Sequence, residues 1–205
     1  MEKTITTQKK TSVQSVRTLT MIAVLSAISF ILAFFEFPVP LSPSFARLDL
    51  SDLPALIGAF AYGPASGVLI ELVKNVLQLF TSATGGIGEL ANFIMGSSFA
   101  AAAGLIYRSH KTKKTAMLAC LAASIVMGIM APVVYYFLLL PAFEPFMPLD
   151  QLITSFEEFI PFIKTKLDVV LFNAFPFNLL KGIGISIVTM LLYKRLTPIL
   201  KGSQK

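Results

Sequence analysis

Six apolar segments divide this chain and limit the structures that it can form. They lie at about 17–37, 53–62, 64–80, 88–107, 115–140 and 171–193. Most of them approach the ~20 residues with which an α-helix crosses the ~30 Å hydrocarbon core of a bilayer. Within that core each backbone amide and carbonyl needs a partner, and a helix supplies these partners inside one segment. The pattern predicts an all-α integral membrane protein, a bundle of six transmembrane helices.

The composition excludes an ordinary soluble domain. Hydrophobic residues make up 55% of the 205 residues and charged residues only 14%, against roughly 45–50% and 25% in soluble domains. The first apolar segment is longer than the core of a signal peptide, which spans about 7–15 residues, so we expect it to remain as a helix. We predict one membrane-embedded domain, 1–205, with a cytoplasmic amino-terminal tail over about 1–16.

The basic residues cluster before the first apolar segment, after the fourth and after the last. These clusters are Lys3, Lys9, Lys10 and Arg17, then Arg108, Lys111, Lys113 and Lys114, then Lys194, Arg195, Lys201 and Lys205. Lys and Arg collect in the cytoplasmic loops of membrane proteins. We expect a multi-pass protein of the cell membrane with both termini in the cytoplasm. The net charge of +6 thus reports the topology, and we predict no nucleic-acid partner.

The second segment is too short to cross a bilayer. Its 10 residues rise about 15 Å as a helix, roughly half of the hydrocarbon thickness. The preceding loop holds Pro38, Pro40 and Pro43, which stop the first helix and keep the chain extended. Irregular backbone at this depth is tolerated where it lines a cavity. We predict an outward-facing ligand cavity with this loop as one wall, and Asp52 as the cap of the second helix.

Polar and ionisable residues lie inside three of the apolar segments. They are Glu71, Lys74, Asn75 and Gln78 in the third, Glu89 and Asn92 in the fourth, and Asn178 and Lys181 in the sixth. The first four fall at i, i+3, i+4 and i+7, so they share one helix face. An ionisable group at membrane depth costs about 2.5–3.5 kcal/mol, which makes it a functional candidate. Glu71 and Lys74 alone have the spacing of a structural ion pair, but the added amides favour a neutral, planar, hydrogen-bonding ligand.

Two features have two interpretations each. Ala23 and Ala27 are small residues four apart on the first helix. Such a face allows close helix contact, either inside the bundle or with another protein. The segment 141–168 is rich in Pro and Phe. It is either a lid over the cavity or an interfacial segment at the lipid headgroups.

The sequence offers little for metal or catalytic chemistry. Cys120 is the single cysteine and His110 the single histidine, whereas a zinc site needs several such ligands. The sequence contains no motif of nucleotide hydrolysis, of zinc peptidases or of serine hydrolases. We predict no metal site, no catalytic residues and no enzyme.

Three stretches together resemble one known family. They are LDLSDLPALIGAFAYGPASGVLIELVKNVLQL from Leu48, TGGIGELANFIMG from Thr84 and FNLLKG from Phe177. They resemble the riboflavin-specific substrate-binding subunits, or S components, of energy-coupling-factor (ECF) vitamin transporters. The resemblance implies a six-helix bundle that captures riboflavin from outside the cell with high affinity, as a transported substrate and not as a cofactor. It also implies an energising module as partner, a transmembrane coupling protein with two ATPase subunits.

The resemblance also assigns residues. The family's ligand contacts correspond here to Leu48, Asp49, Lys74, Asn75, Glu89, Asn92, Asn178 and Lys181, and its A-x-x-x-A docking motif to Ala23 and Ala27. The competing hypothesis is a membrane-embedded enzyme that acts on lipid or isoprenoid headgroups through Glu71, Glu89 and Asp49. Flavin absorption of the purified protein would support the transporter, whereas metal-dependent turnover without flavin would support the enzyme.

Overall fold

The computed structural model describes residues 2–38, 47–82 and 84–200. This part of the chain is helical apart from one small ladder, and the predicted all-α class is confirmed. The helices are α1 (Glu2–Leu32), α2 (Leu53–Tyr62), α3 (Pro64–Gln78), α4 (Ile87–Tyr107), α5 (Lys113–Val134), α6 (Leu140–Phe143), α7 (Leu149–Glu157), α8 (Lys166–Val169) and α9 (Phe175–Leu200). A 3₁₀ turn, Leu79–Thr81, follows α3.

The first helix extends further toward the amino terminus than predicted and ends earlier. It begins at Glu2 instead of about residue 17. The reason is that neither proline nor glycine occurs before Pro38, and these are the residues that most disfavour a helix interior. α1 ends at Leu32, about one turn before the end of the apolar segment.

A short antiparallel ladder closes the first loop. Phe37–Pro38 forms β1 and Arg47–Leu48 forms β2, with Phe37 opposite Leu48. The ladder brings the chain back from the end of α1 to the start of α2. Pro40 and Pro43, which we predicted to extend this loop, lie outside the described residues.

Close helix contacts hold α2, α3 and α4 together. Gly63, between α2 and α3, has a φ of 100°, a left-handed conformation that glycine adopts readily, and Pro64 then starts α3. Gly104 of α4 lies against this turn, since a β-carbon added there would be 2.8 Å from the Pro64 α-carbon. The start of α3 and the end of α4 therefore lie at the same end of the bundle.

Two long helices each contain a widened turn before a proline. The helix from α5 to α6 has a π-helical segment at Tyr135–Leu139, and the helix from α8 to α9 has one at Val170–Ala174. In both, the proline is two residues further on, Pro141 in one and Pro176 in the other. Proline lacks the amide hydrogen that a regular turn needs, and π-bulges are a usual site of kinks. The sequence did not indicate the π-helical segments.

Three helices of the described chain are long and apolar enough to cross a membrane. They are Ile87–Tyr107, Lys113–Phe143 and Lys166–Arg195, and two shorter apolar helices are Val16–Leu32 and Leu53–Tyr62. α4 packs between α3 and α5, α5 packs along α9, and α2 contacts α3, α4 and α9. The start of the short α2 is thus surrounded by longer helices.

The contact of Gly104 with Pro64 gives a test of the packing. Gly104→Ala should destabilise the protein by about 1–3 kcal/mol, because a β-carbon would meet the Pro64 backbone, which cannot rotate away. Thermal unfolding in detergent measures the change. Gly184→Ala is the matched control, since a β-carbon at Gly184 meets nothing within 4 Å. Equal melting temperatures for the two variants would contradict this packing.

Candidate functional site

A buried ion pair lies at the start of α2. The Lys74 Nζ is 2.6 Å from Oδ1 of Asp52 and 2.6 Å from Oε2 of Glu71, and all three side chains are fully buried. Glu71 and Lys74 therefore do form the ion pair that their spacing indicated. Asp52, however, makes this pair a cluster that joins α2 to α3.

A second lysine extends the cluster to α9. The Lys181 Nζ is 3.0 Å from Oδ2 of Asp52 and 3.2 Å from Oδ2 of Asp49. Three carboxylates and two ammonium groups thus lie in contact, and Asp52 contacts both lysines. A buried charge needs such partners, because removing a charged group from water costs several kcal/mol.

The predicted capping role of Asp52 is wrong. Asp52 does precede the first residue of α2, but its side chain makes no capping hydrogen bond. Both carboxylate oxygens face lysines instead. Two buried ammonium groups need a carboxylate partner more than the neutral helix amides do, so the carboxylate turns toward the lysines.

Ser51 connects this cluster to the first helix. The Lys74 Nζ donates a hydrogen bond to the Ser51 Oγ at 3.2 Å, and the Ser29 hydroxyl of α1 donates to the Ser51 carbonyl oxygen. The Ser51 amide in turn donates to Oδ1 of Asp49 at 2.7 Å. The segment 49–52 is therefore held from α1, α3 and α9 together.

A chain of amides runs from the lysine of α9 back to α3. The Lys181 Nζ is 3.5 Å from Oδ1 of Asn92, and Nδ2 of Asn92 donates to Oδ1 of Asn75 at 3.3 Å. Asn75 donates to the Glu71 backbone carbonyl at 2.8 Å. The polar faces of α3, α4 and α9 thus meet inside the bundle.

A cavity of about 280 Å³ lies beside Lys181. Its polar lining comes from Asp49, Thr84, Asn92, Tyr135, Asn178 and Lys181. Its apolar lining comes from Ala91, Met95, Leu139, Leu140, Phe143, Met147, Leu152, Phe156 and Phe177, with Gly88. A mainly apolar and aromatic wall with a few convergent polar groups is typical of small-molecule sites.

Four of the eight predicted ligand residues line the cavity and four do not. Those that line it are Asp49, Asn92, Asn178 and Lys181. Of the others, Leu48 is half-buried in β2, and Lys74 and Asn75 are buried behind the cavity. The Glu89 carboxylate accepts hydrogen bonds from the hydroxyls of Ser82 and Thr84, at 2.8 and 2.9 Å. It thereby fastens the loop that carries Thr84.

Sequence reasoning missed most of the aromatic lining. Tyr135 lies in the π-helical segment after α5, and Phe177 is next to Asn178 on α9. Phe156 belongs to α7, within the segment 141–168, and is 2% exposed. Only the abundance of Phe in that segment signalled it. Because Leu152 and Phe156 of α7 both line the cavity, this segment covers one side of it.

The small-residue face of α1 points outward. Ala23 and Ala27 are exposed, whereas Ile22, Ser26 and Ser29 of the same helix are buried against the bundle. Internal packing therefore does not account for the alanine pair. The face is open for lipid or for another protein.

Comparison with known proteins identifies the family. A family model described as "ECF transporter, substrate-specific component" matches residues 17–193, which is most of the chain. This chain belongs to the ECF transporter substrate-specific components. Membership in a family of transporter subunits overturns the competing hypothesis of a membrane-embedded enzyme and agrees with the prediction of a membrane protein.

Individual relatives of this substrate-specific component agree with the family. The chain is 36% identical over 194 residues to the riboflavin transporter RibU of Staphylococcus aureus, covering 95% of this chain and 97% of that protein. It is 33% identical over 186 residues to the riboflavin transporter FmnP of Bacillus subtilis, covering 89% and 93%.

Solved structures show the same fold. The fold is similar, with a TM-score of 0.71 and 36% identity, to the structure described as "Structure and mechanism of the S component of a bacterial ECF transporter", over 92% of this chain and 99% of that one. A second similar structure is that of ThiT from Listeria monocytogenes, with a TM-score of 0.65, 17% identity and coverage of 91% and 98%. At that identity the second likeness concerns the fold alone.

The charge cluster of this substrate-specific component can be tested by removing one lysine and then one acid. Lys74→Met should lower the free energy of unfolding by about 3–5 kcal/mol, because Glu71 then lacks an ammonium partner within the bundle. Adding Glu71→Gln should recover a large part of this loss, since Asp52 keeps its contact with Lys181. Denaturation in detergent, followed by circular dichroism, measures both.

The control is Lys111→Met, which removes an exposed lysine outside the helices and should change stability by less than about 0.5 kcal/mol. If the double variant is as unstable as Lys74→Met alone, the buried carboxylate is not the cause of the loss.

Proposed function

We propose that this chain captures riboflavin from outside the cell as the substrate-binding subunit of an ECF transporter. A separate module, a transmembrane coupling protein with two ATPase subunits, drives uptake. Riboflavin is bound as the transported substrate. Two relatives named riboflavin transporters support the choice of ligand, each more than 30% identical over most of the chain.

The observation that carries this proposal is the polar edge of the cavity. Asn178 and Lys181 are one helical turn apart and both line it. The pyrimidine edge of the isoalloxazine ring alternates carbonyl acceptors with an imide donor. An asparagine both donates and accepts, and a lysine donates. Asp49 and Asn92 lie beside Lys181 and add acceptors at the same edge.

The aromatic wall fits the flat face of the same ligand. Phe156 and Tyr135 line the cavity from elements other than α9, which carries Asn178 and Lys181. Phe177 lines it from α9 itself. Rings stack with an offset or meet edge to face, and either arrangement adds about 0.5–1.5 kcal/mol beyond burial. A planar ring system would therefore be bound by its faces and identified by its edge.

The four predicted residues outside the cavity lining act in this proposal by positioning others. Lys74 forms an ion pair with Asp52, and Asp52 forms one with Lys181 and so positions it. Asn75 accepts a hydrogen bond from Asn92, and Glu89 accepts one from Thr84 in the loop before α4. Leu48 pairs with Phe37 at the edge of the first loop.

We also propose the orientation of the chain in the membrane. The basic residues Arg108 and Lys113 lie at one end of the helices, and Asp49 and Gly88 of the cavity lie at the opposite end of α2 and α4. Cytoplasmic loops are the basic ones. The chain would then cross the membrane six times with both of its termini in the cytoplasm, and the cavity would open to the outside.

Riboflavin affinity tests the polar edge. Asn178→Ala should leave ring atoms unpaired in a buried site, which costs about 1–3 kcal/mol, or roughly 5- to 150-fold in Kd. Lys181→Met keeps the length of the side chain without its charge and should weaken binding at least as much. Quenching of flavin fluorescence on binding to the detergent-purified protein measures Kd.

The control for these variants is Lys164→Ala. Lys164 is exposed and lies before α8, outside the cavity lining, so its removal should change Kd by less than twofold. The idea fails if Asn178→Ala and Lys181→Met bind riboflavin within twofold of the parent while their circular dichroism is unchanged.

The exposed alanine face of α1 is proposed as the docking surface for the coupling protein. Small residues allow the axes of two membrane helices to approach closely. Replacing both alanines, Ala23→Leu with Ala27→Leu, should abolish riboflavin uptake by cells that contain the complete transporter, while riboflavin binding in detergent stays within twofold. Uptake is measured on these cells, and binding is measured on the protein purified from them in detergent.

Leu118→Phe is the matched control, because it adds bulk at another exposed apolar position, on α5. It should leave uptake unchanged. A parallel loss of binding and uptake in the alanine variant would mean that the face supports the fold and not a partner.

A further inference from the structure

A second depression lies outside the ligand cavity, between α5 and α9. Its volume is about 450 Å³. Its lining comes from two helix stripes, Lys113, Met117, Cys120, Leu121 and Ser124 of α5, and Ile183, Ser186, Ile187, Met190 and Leu191 of α9. We call it the α5–α9 groove. It is open along its length, because Met117, Leu121, Ile187 and Leu191 form exposed rims.

Small side chains form the floor of this groove. Cys120, Ser124 and Ser186 are buried there. The Ser124 hydroxyl lies 3.2 Å from the Ser186 hydroxyl and donates to the Cys120 backbone carbonyl at 2.9 Å. Gly182 brings the helices together, since a β-carbon there would lie 3.0 Å from Ser124. The floor satisfies its own polar groups, so the groove presents an apolar surface to its occupant.

Basic side chains stand at one end of the groove. Lys113 is the first residue of α5 and is exposed. On α9 the stripe of Ile187 and Leu191 continues to Lys194, three residues further on and also exposed. Because α5 and α9 run antiparallel here, the two lysines lie at the same end. Within the described residues neither lysine forms an ion pair.

The length of the groove matches one leaflet. From Lys113 to Ser124 the helix advances 11 residues, about 16 Å at ~1.5 Å per residue. This is close to half of the ~30 Å hydrocarbon core. A groove of this length with two lysines at one end matches the shape and charge of an anionic phospholipid of one leaflet.

We propose that the α5–α9 groove binds an anionic phospholipid, with its acyl chains between the helices and its headgroup at Lys113 and Lys194. The positive end of the α5 helix dipole adds to the attraction of the headgroup. Basic residues at the cytoplasmic edge of membrane helices favour anionic headgroups in this way. The site depends on membrane insertion and not on the ligand of the cavity.

The chain contains no tryptophan, so a single introduced one reports on the groove. Met117→Trp places the fluorophore on its rim. The protein, free of riboflavin, is reconstituted in phosphatidylcholine vesicles that contain an increasing fraction of either brominated phosphatidylglycerol or brominated phosphatidylcholine. Bromine on a lipid in contact with the tryptophan quenches its fluorescence. We expect brominated phosphatidylglycerol to reach half-maximal quenching at a roughly 5- to 30-fold lower lipid fraction than brominated phosphatidylcholine.

Three controls separate a site from diffuse attraction. Adding Lys113→Gln and Lys194→Gln to Met117→Trp should remove the preference for the anionic lipid. Adding Lys111→Gln and Lys114→Gln instead, which removes the same charge at the same end, should leave that preference unchanged. Leu69→Trp, an exposed position on α3 near the same end, should show equal quenching by both lipids. Equal quenching in Met117→Trp itself overturns the proposal. So does an equal loss of preference in the two lysine pairs.

Discussion

Asp52 is a fully buried carboxylate in contact with two lysines, and the arrangement of the interior depends on this double contact. Charged side chains at this depth are unfavourable unless each has a partner of opposite sign. Asp52 provides such a partner to Lys74 of α3 and to Lys181 of α9. The cluster therefore fixes the position of three segments at once, and it leaves Lys181 at the edge of the cavity with its charge already compensated. A ligand that binds beside Lys181, as we propose, therefore does not have to neutralise this charge.

The space for a ligand follows from interruptions of the long helices. α2 has only 10 residues, so its start lies inside the bundle, where the segment 49–52 can reach the lysines. The two π-helical segments lie beside the same space. Tyr135 of the first lines the cavity, and Ala174 of the second accepts a hydrogen bond from the Asn178 side chain at 3.0 Å. Widened turns and a short helix thus open a cavity with one polar edge in a structure whose remaining helices pack closely through small residues.

Much of this could be predicted from the sequence. Apolar length predicted the helical segments, and the 3.6-residue periodicity predicted that the polar residues of α3 share one helix face. The helix boundaries were less accurate, because a boundary depends on what the end of a helix contacts. The capping role of Asp52 failed for the same kind of reason. A local rule assigns the carboxylate to its own helix amides, whereas lysines distant in sequence offer a stronger partner.

The sequence by itself determined that the chain inserts in a membrane as helices and which faces of these helices are polar. It also indicated the family to which the chain belongs. Only the tertiary structure decided what each polar residue meets. Lys74 and Lys181 are indistinguishable as lysines on polar helix faces, yet one is enclosed by Asp52 and Glu71 and the other lines the cavity. Periodicity states the direction in which a side chain leaves its helix. What lies opposite is set by how the helices pack, and that packing joins residues more than a hundred positions apart, as in the contact of Asp49 with Lys181.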